Sequence, residues 1–73
     1  MTNTGNTVED FKSEISKQVT YVPEHANGDR YHKDSQKGIV SSVNNTYVFV
    51  KYIINGNIQE TAQATSPRNL LKG

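Results

Sequence analysis

His25, Asp29, His32 and Asp34 stand in one polar stretch, EHANGDRYHKDSQ. Imidazole and carboxylate together are donors that zinc and similar divalent ions accept, and a His/Asp pair can also move protons. Their spacings match no ligand motif with a mechanical basis. The chain contains no Gly-x-Ser-x-Gly elbow and no glycine-rich phosphate loop. It has no cysteine, which removes disulfides, thiolate zinc sites and cysteine nucleophiles. The chain therefore reads as a non-enzyme with no catalytic residue, cofactor or metal assigned. The simpler expectation is that His25 or Asp29 folds its own loop by bonding backbone groups, as Asp and Asn do in turns.

A second set of residues suits binding. Arg30, Lys33 and Lys37 interleave with Tyr31 and His32 in the same stretch, a mixture that contacts phosphate without reading sequence. Asp29 and Asp34 offset much of that charge. Further on, Tyr47, Phe49 and Lys51 alternate along a β-rich run. Alternate strand residues share a face, and lysine is rarely buried without a partner, so this face is expected outside. Aromatics beside a cation suit stacking of single-stranded nucleic acid or a protein interface. A second reading has an N-terminal helix covering Phe49 and Ile53 with Phe11 and Ile15, while Lys51 snorkels at the edge.

These residues need a scaffold, and the scaffold is small. Seventy-three residues with 33% hydrophobic content make one domain with a thin core. No apolar run exceeds four residues, so neither a spanning helix nor a signal-peptide core is expected. Net charge is +1, short of the basic balance of a dedicated nucleic-acid binder. The charge is uneven: after residue 37, Glu60 alone opposes Lys51, Arg68 and Lys72. A mildly basic strand-rich half assists an anionic partner without demanding one.

Residues 1–6 are expected to be frayed. A short helix is expected over 7–17, with Thr7 as N-cap, Glu9 and Asp10 in the first turn, and Val8, Phe11 and Ile15 on one stripe. Residues 18–22 read as a strand ended by Pro23, followed by a loop of roughly a dozen residues. Residues 38–43, 46–54 and 57–65 read as three further strands. Asn44-Asn45 and Asn55-Gly56 are expected to be two-residue hairpin turns. In the second strand Ile39, Ser41 and Val43 would share one face, and Val40 and Ser42 the other. Ser66-Pro67 should open a single 3-10 turn, after which Leu70 or Leu71 plugs the core. The expected fold is mainly β: a small SH3-like, partly open barrel of about five antiparallel strands over residues 18–73, with a short N-terminal helix and a 3-10 turn before the last strand.

The stretches YVPEHANGD, KGIVSSVNNTYVFVKY and TSPRNLL, covering much of residues 21–71, resemble a group of small proteins encoded by tailed bacteriophages and prophages. That group shares Tyr-x-Pro-x-His-Ala-x-Gly-Asp, then Gly-x-Val-x-Ser-x-Asn, an aromatic-Val-Phe-Val-basic-aromatic strand and a closing Thr-x-Pro-x-x-Leu. His25, Asp29, Val40, Asn44, Val48, Phe49, Val50, Pro67 and Leu70 match the pattern. The resemblance implies a phage product of SH3-like fold in the host cytoplasm, and it carries no catalytic role. The functional expectation is a non-catalytic binding module that contacts a host or phage protein through Arg30, Tyr31, His32, Tyr47, Phe49 and Lys51. Nucleic acid is the alternative partner. No membrane association is expected, and an exposed strand edge would also permit a homodimer.

Overall fold

The computed structural model describes residues 6–26 and 29–72. A helix α1 (Val8–Phe11) runs into a 3-10 turn (Lys12–Glu14), and six antiparallel strands follow: β1 (Gln18–Tyr21), β2 (Gln36–Val43), β3 (Val48–Ile54), β4 (Asn57–Ile58), β5 (Gln63–Thr65) and β6 (Leu70–Lys72). Further 3-10 turns span Glu24–Ala26 and Pro67–Asn69. The sheet order is β4-β3-β2-β1-β6, and β5 lies beside β4 on the same flank of β3. The sheet is open and does not close into a barrel.

Pairing registers sort the strand residues into two faces. The inner face carries Val19, Val40, Val48, Val50 and Leu70, all buried, with Tyr21, Val43 and Tyr52 against them. Phe11 completes this core and is fully buried. The helix therefore docks on the Val48/Val50 face, and the expected cover of Phe49 and Ile53 by Phe11 and Ile15 is corrected. Ile15 is 46% exposed. The helical stripe breaks after Phe11 because the chain tightens into the 3-10 turn and leaves through Ser16, which takes a left-handed φ of 72°. Lys17 N–H then bonds the Glu14 carbonyl.

Two more expectations change with the register. Between Val40 and Ser42 the pairing to β3 slips by one residue, leaving Ser41 as a bulge. A one-residue slip moves every later side chain to the other face. Val43 consequently joins Val40 inside, opposite Val48, and Ser42 pairs outside with Phe49. The expected strand over 57–65 is two strands. Continuing the Ile53↔Ile58 register would set Gln63 opposite Val48, yet Gln63 pairs with Val50. Two extra residues are thus taken up between β4 and β5, and an even shift keeps the faces unchanged.

The two hairpins also differ. Asn55 and Gly56 take φ of 54° and 80°, the backbone that a type I′ turn needs. Asn44 and Asn45 do not adopt positive φ. There the turn spans residues 44–47, closed by Asn44 N–H to the Tyr47 carbonyl, and the Asn44 side-chain oxygen accepts from Thr46 and Tyr47 N–H at 2.7 and 2.6 Å. An asparagine side chain imitating a backbone turn replaces the left-handed pair.

At the other end, Ser66-Pro67 opens the expected 3-10 turn and Leu70 is the leucine that enters the core. The Asn69 side chain donates to the Val22 carbonyl, and Val22 N–H bonds the Asn69 carbonyl at 2.7 Å. Residues 1–5 of the stretch expected to be frayed lie outside the described residues, while Asn6 donates to the Leu70 carbonyl at 2.8 Å.

Helix α1 is too short to persist alone, so its first turn needs local support. Thr7 N–H and its hydroxyl both donate to the Asp10 carboxylate, at 2.7 and 3.1 Å. These bonds favour the charged form and hold the Asp10 carboxyl below its usual 3.8. A depressed carboxyl gives stability that is complete above the unfolded value and is lost as pH falls through the lower folded value. Melting temperatures taken down through pH 3.8 should therefore drop more steeply for the native chain than for Asp10→Asn. Parallel curves would rule this out.

Candidate functional site

Two regions carry the residues singled out above. The first is the loop between β1 and β2. Its backbone is a succession of tight turns: Ala26 N–H bonds the Pro23 carbonyl, Asp29 the Ala26 carbonyl, His32 the Asp29 carbonyl, and Ser35 the His32 carbonyl, all at 2.9–3.1 Å. Asp29 accepts the Tyr31 N–H at 2.9 Å on its side chain, and its carbonyl takes the Ser35 hydroxyl at 3.0 Å. Asp29 is thus the residue that folds the loop through backbone bonds. His25 does something else: its Nε2 lies 2.7 Å from Asp34 Oδ2. His32 Nδ1 accepts the Asp34 N–H at 3.0 Å and stands 3.9 Å from the same Oδ2. The two imidazoles meet edge to face, with centroids 5.2 Å apart. The coiling of the loop brings His25, His32 and Asp34 together across nine residues of sequence. Arg30 is exposed, and Tyr31 is 88% exposed.

The second region is the outer face of the sheet. Register partners share a face, so Phe49 joins Ser42 and Ala64, Lys51 joins Ile39, and Ile53 joins Ile58. Lys37 and Leu71 fall here as partners of Thr20. Phe49, Lys51, Ile53, Ile39 and Leu71 are half-buried, while Ile58 is 57% exposed. The core cluster and α1 lie on the opposite face. None of the six strands contains Asp or Glu, and Lys37 and Lys51 give this face a positive sign. Tyr47 is exposed just ahead of β3, on the turn held by Asn44. The β1–β2 loop reaches the other end of β3, where Lys33, Asp34 and Lys37 line a groove with Ile53, Ile54 and Asn55. Tyr47 and the Arg30–His32 segment are therefore at opposite ends of β3 and do not form one patch.

Of the aliphatic residues of this face, Ile53 was grouped with Phe49 in the sequence reading, and the others were not. For Ile39, Ile58 and Ala64 nothing local says which side of the strand is the outer one. The inner position opposite Val48 goes instead to Thr65, which is buried and shares a hydrogen bond of 2.7 Å with the Tyr52 hydroxyl. Burial pushes the Tyr52 phenol up, against the opposing effect of that bond. Tyr52 also meets Tyr21 edge to face at 6.2 Å and, with Gln59, Glu60 and Gln63, lines a groove of about 470 Å³.

No family model, no curated protein and no solved structure matches the chain. Among the described residues no helix is long and apolar enough to cross a membrane.

Proposed function

We propose that the protein is a non-catalytic binding module that docks a partner protein on the outer face of its sheet, as a phage accessory product acting inside the host cell. The observation that carries this reading is the row Phe49, Lys51 and Ile53 on β3, flanked by Ile39 and Ile58, on strands with no carboxylate. Apolar area with an aromatic anchor and a cation at its centre is the composition of an interface hot spot. The sign of the charge selects an acidic, apolar-faced protein segment. Aliphatic side chains dominate here, and they offer bases no stacking surface, which favours protein over nucleic acid. The phage origin rests on the resemblance of residues 21–71. The order strand, long loop, two hairpins, 3-10 turn and last strand supports an SH3-like assignment, with β4 and β5 counted as one interrupted strand.

The test compares the native chain with Lys51→Glu and Ile58→Asp, both on the open side of the sheet and expected to fold. Each is used as bait in a nuclease-treated bacterial host lysate, and each is titrated with labelled single- and double-stranded DNA at two salt concentrations. The reading expects one captured protein whose recovery falls roughly tenfold or more with either variant, as hot-spot losses do. Capture that is unchanged by both variants overturns it. So does DNA binding that weakens steeply with salt and is lost in Lys51→Glu, the signature of a nucleic-acid binder.

A further inference from the structure

We infer that His25, His32 and Asp34 form a binding site for a zinc-class divalent cation, independent of the docking face. Each residue offers one ligand atom, and these atoms lie within 4.8 Å of one another. A tetrahedral ion with bonds of about 2.0 Å holds its ligand atoms about 3.3 Å apart. The observed separations from Asp34 Oδ2, 2.7 Å to His25 Nε2 and 3.9 Å to His32 Nδ1, straddle that value. With every pair within 4.8 Å, relative side-chain movements of about 1–2 Å bring the three into place.

The chemistry of the donors sets the ion class. Two imidazole nitrogens and one carboxylate oxygen suit zinc and its borderline neighbours, whereas calcium and magnesium take oxygen ligands. On binding, the ion takes the place between His25 Nε2 and Asp34 Oδ2 now bridged by a hydrogen bond, and a neutral His25 carries its one ring hydrogen on Nδ1. At His32 the ion takes the lone pair that now accepts the Asp34 N–H, and this exposed N–H turns to water. The side chains of His25 and Asp34 are 62% and 49% exposed, so solvent can supply the fourth ligand. Successive backbone turns, and the Ser35 hydroxyl on the Asp29 carbonyl, hold the chain around His32 and Asp34 before any ion arrives. A bound ion would clamp the Glu24–Ala26 turn to the start of β2 and stabilise the folded chain.

The measurement is calorimetric titration of the chelator-treated full chain with zinc chloride. The expected result is one equivalent bound with Kd of ~100 µM or tighter. His25→Ala, His32→Ala and Asp34→Asn should each weaken binding roughly tenfold or more, since each removes one of three ligands. Asp29→Asn should leave it within about threefold, because the amide oxygen still accepts the Tyr31 N–H and residue 29 is not a ligand. Imidazole ¹⁵N spectra give a readout that does not depend on the variants: zinc should move the resonances of both His25 and His32. Weaker binding than ~100 µM, spectra in which either imidazole is unmoved, or losses in Asp29→Asn equal to those in Asp34→Asn would each overturn the assignment.

Discussion

Phe11→Ala is expected to lower stability by about 3–5 kcal/mol, the cost of emptying an aromatic site in a core. A chain of this size has about 4–11 kcal/mol in all, so the variant should lose most of its margin and melt near or below 37 °C. The reason is specific to the packing. Phe11 is the largest fully buried side chain, and with Val8 packed beside it anchors α1 on a core otherwise made of Val19, Val40, Val48, Val50 and Leu70. Valines fill little volume, and none of them can move far enough to close a phenyl-sized cavity. Ile15→Ala, four residues on, should cost at most about 1 kcal/mol because that side chain is nearly half exposed and lies outside the core cluster. Urea unfolding of the two variants checks the pair. Equal losses would mean that the helix docks through its whole stripe.

Gly38→Ala should also be costly, by about 1–3 kcal/mol, although it adds only a methyl group. Gly38 is buried in β2, between Val19 of β1 and Tyr52 of β3. A Cβ there would stand 2.5 Å from Val50 Cγ1 and 3.0 Å from the Lys51 carbonyl oxygen. Neither neighbour yields cheaply. The carbonyl belongs to the β2–β3 ladder, and a buried valine has few rotamers to choose from. The strands would have to separate, which loosens the same core that Phe11 closes. Gly56 makes the contrast: its surroundings are open and its φ is +80°. Gly56→Ala should therefore cost only about 1 kcal/mol through backbone strain. Thermal melts should rank Gly38→Ala as the more damaging change, and the reverse order would sink the steric account.

How much of this was legible beforehand depended on how local each signal was. The elements came from short-range chemistry. Residues 18–22, 38–43 and 46–54 are rich in β-branched and aromatic side chains, Asn55-Gly56 takes positive φ readily, and Ser66-Pro67 starts a 3-10 turn; each can be read within a few residues. A leucine entering the core after that turn is equally local, whereas the choice of Leu70 over Leu71 came from the register with Tyr21. Asp29 folding its own loop is likewise a short-range property of a short carboxylate side chain.

The tertiary structure decided which side of the ribbon was inside. Both faces of β3 are apolar, Val48, Val50 and Tyr52 on one and Phe49 and Ile53 on the other, so alternation alone could not orient it. That choice was made by Phe11, Val19 and Leu70, which arrive from distant parts of the chain and fill one side only. The Ser41 bulge and the two-residue shift between β4 and β5 come from the same source. Each adjusts register so that inner positions meet across strands, and no property of Ser41 or of residues 59–62 announces it. The meeting of His25, His32 and Asp34 is also a product of the folded loop, since their spacing in sequence is irregular and only successive turns of the backbone bring three donors to one point. Local propensity fixes what each segment is. Long-range burial fixes which way it faces, and both candidate sites of this protein depend on facing.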